Sequence, residues 1–472
     1  MNQTFKPQYK PLYSQIREVI HQRIVNSIYP VNCDLPSEKQ LANEFGVSIS
    51  TIRQAVGLLV DDGLLVRQQG KGTFVSQNPL TIRFLGWIGE FHEGNKVMRE
   101  IINIFERKNP NLRVEYIVTN YDNLKKEYLQ RVQRGEAPDV VQIVSHWTSS
   151  LASMGLLEPL TEMLPAPNLA GRFSDKDLQG GMYHGKLFSV AWGICPMCLI
   201  YNRELVGKSG VKLPERLTPE AFLAICRQIG RVLKGQDVYS YGFCSDANVF
   251  LHTYNFLLAF NADIINDNNQ IVIDSPEAAQ AYRWLNSMTS SGNVVWKEDI
   301  WELRRLFAEG KLAFLQDGPW IRGIIKDLRD DDKDFDASYG VMQNPAVPNS
   351  SYSSWNYNHA VAISSMSNQK EIAAKFIDSL TSDPDICELY FHEIGLLPPM
   401  QQMLQSPSYS GHVYYREFIK QLQNARMLKA DNPLIDKVID FCADASRNIL
   451  LKNKDIEPEL SEKAYYLRML YS

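Results

Sequence analysis

The stretch Ser48-Ile-Ser-Thr-Ile-Arg-Gln54 gathers Ser48, Ser50, Thr51 and Gln54, which can donate or accept hydrogen bonds, and the cation Arg53 within two helical turns. Short polar groups beside one long cation are the equipment needed to meet base edges and phosphates in a DNA groove. A second set is aromatic: Trp87, Trp147, Trp192, Trp320 and Trp355 close or follow apolar runs, and Glu90, His146, Asp317 and Asn356 lie beside them. Sugars present apolar C–H faces ringed by hydroxyls, so their sites combine a flat ring with side chains that hydrogen-bond. A third set, Cys195-Pro-Met-Cys198, has the spacing of a redox pair or half a zinc site, but no second pair lies at a metal distance. His392-Glu-Ile-Gly lacks the second histidine of a zinc hydrolase, Gly70-Lys-Gly is too short for a phosphate loop, and no two carboxylates have a context that marks them for glycoside hydrolysis. The expectation is a binding protein with no catalytic residues, metal or cofactor.

The first of these sets needs a helix held away from a core. Leu12, Ile16, Val19, Ile20, Ile24 and Ile28 recur at three- and four-residue spacing, which predicts an amphipathic scaffold helix. Ser37-Glu-Lys-Gln40 fits a capping box and Gly46 a left-handed stop, so a short second helix follows, with Leu41, Ala42 and Phe45 inward. Ser48 then caps a third helix that buries Ile52, Ala55, Val56 and Leu59 and leaves Ile49, Ser50, Arg53 and Gln54 outward, the arrangement of a recognition helix. Gly63 ends it. In Leu64-Leu-Val-Arg-Gln-Gln-Gly-Lys-Gly-Thr-Phe-Val75, two short strands flank a glycine turn that carries Gly70 and Lys71, which reads as a wing.

The aromatic set needs sheets. IRFLGW ends at Trp87, NLRVEYIV and APDVVQIV follow, and helical patterns run through Val97, Ile101, Ile104 and Phe105 and over 122–134. This alternation predicts a mostly parallel sheet, whose strand ends are where an open α/β fold presents its ligand crevice. Further strands at GKLFSVAW, MCLIYN, GKLAFLQDGPW and HAVAISS, with helices near 218–229, 276–288 and 369–381, extend the α/β pattern to a second lobe.

With 472 residues, 44% hydrophobic and 22% charged, the chain is expected to form several globular domains. The start has no apolar signal segment, no run reaches the ~18 residues of a membrane helix, and seven scattered cysteines suit a reducing compartment, so a cytoplasmic protein is expected. Net charge is −5, yet residues 1–78 hold eight basic against six acidic side chains, a surplus of two that leaves −7 for the rest. A nucleic-acid partner belongs at the N-terminal end.

Pro11-Leu-Tyr13 with Gln15-Ile16, LPSEKQLA, FGVS, STIRQAV, GLL and GKGTFV together resemble the GntR family of bacterial winged helix-turn-helix repressors over the whole of residues 1–78. The resemblance implies that Lys39, Ser50, Arg53 and Gly70 approach phosphates and bases, and that the protein binds a two-fold operator as a homodimer. Where the family usually has arginine this chain has Ile49, which cannot make a bidentate guanine contact. Residues 82–445 resemble the family 1 extracellular solute-binding proteins of the maltose-binding type, through APDVVQI, GLLEPL, GKLFSVAW, LIYNREL, FAEGKLAFLQDGPW, AAKFIDSLTSDP and GLLPPM. That resemblance implies two lobes, chain crossings near Trp192 to Cys195 and near Val341 to Trp355, a sugar in the cleft, and a stacking ring at Trp320. The expected architecture is therefore an N-terminal winged helix-turn-helix (α+β) over 1–78 and a two-lobed α/β periplasmic-binding-protein-like sensor over 79–472. Its partners would be operator DNA and a saccharide effector. A transport receptor would need export and no winged helix, and a sugar-converting enzyme would need an acid pair that the sequence does not mark.

Overall fold

The computed structural model describes residues 10–471 apart from 162, 165–171, 247, 292, 330–333 and 429–431. Helix α1 (Leu12–Val25) buries Ile16, Ile20 and Ile24 along one stripe. It stops before Ile28, which is 63% exposed, because Ser27 leaves the helical region at φ 55° and Pro30 follows, with no N–H to continue a ladder. Helix α2 (Glu38–Phe45) carries both halves of its capping box: Gln40 N–H donates to Ser37 Oγ, and Ser37 N–H donates to Gln40 Oε1 at 2.9 Å. Gly46 takes the left-handed stop at φ 66°. Helix α3 (Ile49–Asp61) starts where Ser48 Oγ accepts from Thr51 N–H at 3.2 Å, and Ile52, Ala55, Val56 and Leu59 lock it onto α1 and α2. Losing such a cap costs about 1 kcal/mol. Strands β1 (Leu65–Gln68) and β2 (Gly72–Val75) pair antiparallel as the wing.

Strand β3 (Leu80–Gly86) opens the larger part, two residues before the IRFLGW run begins. It pairs parallel with β4 (Leu112–Val118) and β5 (Val140–Val144); His359–Ile363 runs antiparallel to β5, and Ser189–Gly193, antiparallel to 359–363, points the same way as the first three, in the order β4, β3, β5, 359–363, 189–193. Helices α4 (His92–Lys108) and α5 (Tyr121–Gln133) follow β3 and β4. Every residue of β5 is buried, as expected of a central strand covered on both faces. The second sheet runs 294–297, 239–244, 312–317, 198–202, 339–342.

Two lobes result. The chain first crosses between them at 194–197, just after the predicted place, because Trp192 and Gly193 are still in the first sheet. It returns between Met342 and His359. A third crossing follows, since helix Pro384–Ile394 packs on α4 and helix Ile435–Leu450 packs on helix Val249–Ala259 of the second lobe.

The reader is docked onto the first lobe by the C-terminal end of α1. Asn111 is 2% exposed; its Nδ2 donates to Ile24 O (2.8 Å) and Tyr29 O (2.9 Å), and its Oδ1 accepts from Val31 N–H (2.8 Å). Lys375 Nζ donates to Val25 O at 2.9 Å, placing a cation where a helix leaves its carbonyls unpaired. His21 Nδ1 lies 2.7 Å from Glu371 Oε2, and Val25 packs into the core of the larger part.

Candidate functional site

A cavity of about 400 Å³ opens between the lobes. The first lobe contributes Trp87 and Glu90 from the turn after β3, His146 and Trp147 from the turn after β5, and Tyr121, Asp122 and Lys125 from the start of α5. Across from them stand Trp301 and Arg304 on helix Ile300–Ala308, and Trp320 at the start of helix Ile321–Leu328. Trp355, Tyr357 and His359 line it from the second crossing, alternate residues of an extended chain that face one way. Asp436 and Asp440 close it from helix Ile435–Leu450.

The rings brace one another. Tyr121 stacks on Trp147 at 5.6 Å with 17° between planes, Trp320 stacks on His359 at 5.3 Å and 15°, and Trp87 meets His359 edge-on at 4.9 Å. Lys125 lies 5.6 Å above the Trp147 ring and is ion-paired with Asp436 of the opposite lobe. The Arg304 guanidinium sits 4.9 Å over Trp301. Gly318 has no room for a side chain: a Cβ there would fall 2.4 Å from the Trp320 ring, so the glycine in Asp317-Gly-Pro-Trp320 is what lets that ring fold back.

Burial drives the electrostatics. It lowers the His146 pKa to about 4 and that of His359 to about 3, so both rings are neutral, and His359 Nδ1 has no hydrogen-bond partner. Glu90 and Asp122 keep exposed surface, yet partial desolvation by the cavity walls raises both carboxyl groups above their ordinary values.

Of the residues singled out in sequence, Trp87, Glu90, His146, Trp147, Trp320 and Trp355 line the cavity together. Three do not. Trp192 is fully buried and stacked on Tyr390 at 4.0 Å and 2°, because the alternation of its strand turns the ring toward the covering helix rather than the crevice. Asp317 lies behind the wall with no exposed surface and receives Arg304 Nε (2.8 Å) and Nη2 (3.1 Å), so it positions that cation. Asn356 is 3% exposed and points away from its lining neighbours Trp355 and Tyr357. The residues missed, Tyr121, Asp122, Lys125, Trp301, Arg304, Tyr357, His359 and Asp436, come mostly from helix termini far apart in sequence. One signal was available: Trp301 and Arg304, three residues apart, share a helix face.

On the reader, Lys39, Ser48, Ser50, Arg53, Gln54, Gly70 and Lys71 are exposed and Thr51 is half-buried. Ser48 Oγ shares hydrogen bonds of 2.7 Å with Ser50 and Thr51, and Glu38 holds Arg53 at 2.9 and 3.1 Å. Ile49 is exposed at the start of α3.

Residues 100–414 match the bacterial extracellular solute-binding protein family over most of this architecture. The chain belongs to that family. Residues 12–75 match the bacterial regulatory proteins of the gntR family, so this solute-binding protein carries a regulator's DNA-binding domain at its front. The reader is 48% identical over 67 residues to the histidine utilization repressor of Pseudomonas putida, covering 14% of this chain and 27% of that one. The solute-binding part is 20% identical over 372 residues to the maltotriose-binding protein of Pyrococcus abyssi, covering 76% of this chain and 75% of that one. Its fold is that of an ABC transporter solute-binding protein of Thermotoga lettingae, solved bound with α-D-tagatose, at a TM-score of 0.75 and 21% identity, covering 84% and 100%. No helix among the described residues is long and apolar enough to cross a membrane, and no group of His, Cys, Asp and Glu there could hold a metal ion.

Proposed function

We propose that this protein is a ligand-responsive transcriptional regulator in which a saccharide bound between the lobes changes the affinity of the winged helix for operator DNA. The observation that carries this reading is the pairing of a ring-lined interlobe cavity with a reader bonded to one of the two lobes. Trp87, Trp147, Trp320 and Trp355 supply apolar faces for pyranose stacking, with Glu90 and His146 for hydroxyls; Lys39, Ser50, Arg53, Gln54 and Lys71 supply the DNA contacts. We take 78/79 as the boundary between the two functions, a homodimer on a two-fold operator as the active species, and the cytoplasm as its compartment.

A melting-temperature screen against saccharides identifies the effector, since a ligand at about 100 times its Kd stabilises by ~2.7 kcal/mol. The decisive measurement is then the Kd for a two-fold operator selected from random DNA, with and without saturating saccharide at one salt concentration, because the phosphate contribution varies steeply with salt. The expected change is roughly 5- to 150-fold, and the operator must change saccharide affinity by the same factor. Equal Kd values in the two conditions refute the sensor reading, however tightly each ligand binds.

A further inference from the structure

The ionisable side chains on the cavity wall are out of balance: four carboxylates (Glu90, Asp122, Asp436, Asp440) face two cations (Lys125, Arg304), a lining charge of −2. Both cations already have partners, Lys125 in Asp436 and Arg304 in the buried Asp317. Asp440 stands at the rim with Lys437 at 3.9 Å. Glu90 and Asp122 have no ion pair among the described residues. Glu90 accepts only from neutral donors, such as the Tyr121 N–H at 3.3 Å, and Asp122 faces Asn248 of the other lobe. The histidines add no compensating charge, since His146 and His359 are held neutral by burial. His359, 5% exposed, keeps Nδ1 without a partner in the cavity wall.

We propose that the saccharide this cavity takes carries protonated amino groups, held by Glu90 and Asp122 against the surrounding rings. The inference rests on the saccharide reading above. A neutral sugar would shut two carboxylates that have no ion pair, only the more distant pull of Arg304, into a space from which it has displaced water, and charge buried without a direct partner is costly. An ammonium group compensates them, makes charge-assisted hydrogen bonds, and is attracted to tryptophan and tyrosine faces. Desolvation raises both carboxyl groups against a weaker opposing pull from Arg304, and a cation bound between them would favour their charged forms. Two ammonium groups would bring the lining charge of −2 to zero.

The test is calorimetry of the full chain with the β-1,4-linked glucosamine dimer, cellobiose and N,N′-diacetylchitobiose, at about pH 6.5, where an amine is protonated. The glucosamine dimer should bind roughly 10- to 100-fold tighter than either neutral disaccharide. In the isosteric Glu90→Gln, Asp122→Asn double variant, verified as folded by its melting curve, that ratio should fall toward one. Equal or weaker binding of the glucosamine dimer, or no binding of it, overturns the inference, and a ratio that survives in the double variant overturns the roles of Glu90 and Asp122. Binding of a neutral saccharide from the wider screen in those cases leaves the saccharide reading standing; binding of none removes that reading too.

Discussion

Arg53 projects from α3 yet is already engaged, because Glu38 at the start of α2 holds its guanidinium at 2.9 Å and also lies 3.8 Å from Arg67. An exposed pair of this kind contributes little stability, so the arginine can be surrendered to DNA at small cost. Arg53→Ala should weaken operator binding by about 1–3 kcal/mol in a gel-shift titration and leave saccharide affinity as it was; unchanged operator affinity would remove α3 as the reading helix. His359 makes the opposite case, a titratable group whose value lies in staying neutral. Its pKa falls from 6.5 to about 3 through burial among Trp87, Trp320 and Tyr357. The unfolded chain therefore binds the proton that the folded ring refuses. The stability this represents is complete above about pH 6.5 and is lost on acidification toward pH 3, at up to ~1.4 kcal/mol per pH unit. Denaturant midpoints for His359→Phe should accordingly fall less than wild type between pH 6.5 and 4. Parallel decline in the two proteins would show that the ring titrates normally.

At the scale of elements, period and capping made most of the fold readable in sequence. Ser37 and Gln40 announced α2, Ser48 announced α3, and the apolar runs around Val114 and Val141 announced strands of the first sheet. The site was only half readable, for a geometric reason. A tryptophan at a strand end can be recognised, but the face it takes depends on register: Trp147 and Trp355 turned to the crevice and Trp192 to Tyr390. Residues such as Asp122, Arg304 and Asp436 meet only because three helices from distant parts of the chain end at one place, and no local pattern encodes that. The docking of α1 was equally hidden, since Asn111 is an unremarkable polar residue in Asn109-Pro-Asn-Leu112 until the fold carries it to the helix end. Asn111→Leu should strand Tyr29 O and Val31 N–H and leave Ile24 O with backbone donors such as Ser27 N–H alone, at about 1–3 kcal/mol for each group left unpaired. The expected calorimetric result is a reader that melts ahead of the lobes. A single unshifted transition would mean that the docking contributes nothing.

For the whole molecule, the docking decides which parts move as one. The reader is bonded to the first lobe through Asn111, Glu371 and Lys375, so a closure of the lobes on the proposed saccharide would carry it as a rigid attachment and change its distance from the second lobe. Spin labels at Asp61 and Arg99, both exposed, should keep a fixed separation when saccharide is added, while labels at Asp61 and Glu220 should change theirs. Movement in the first pair would place the hinge within the docking surface instead. Asn111 has a final consequence for how such a protein could be rebuilt. By position it belongs to the receptor, but all three of its side-chain bonds serve backbone atoms of the reader. The seam between the modules is therefore not the stretch of chain that joins them. A chimera made by cutting at residue 78 and grafting on another receptor would keep the connection and lose the joint. Unless counterparts of Asn111, Glu371 and Lys375 were transplanted with it, such a hybrid should bind its sugar and its DNA as strangers on one thread.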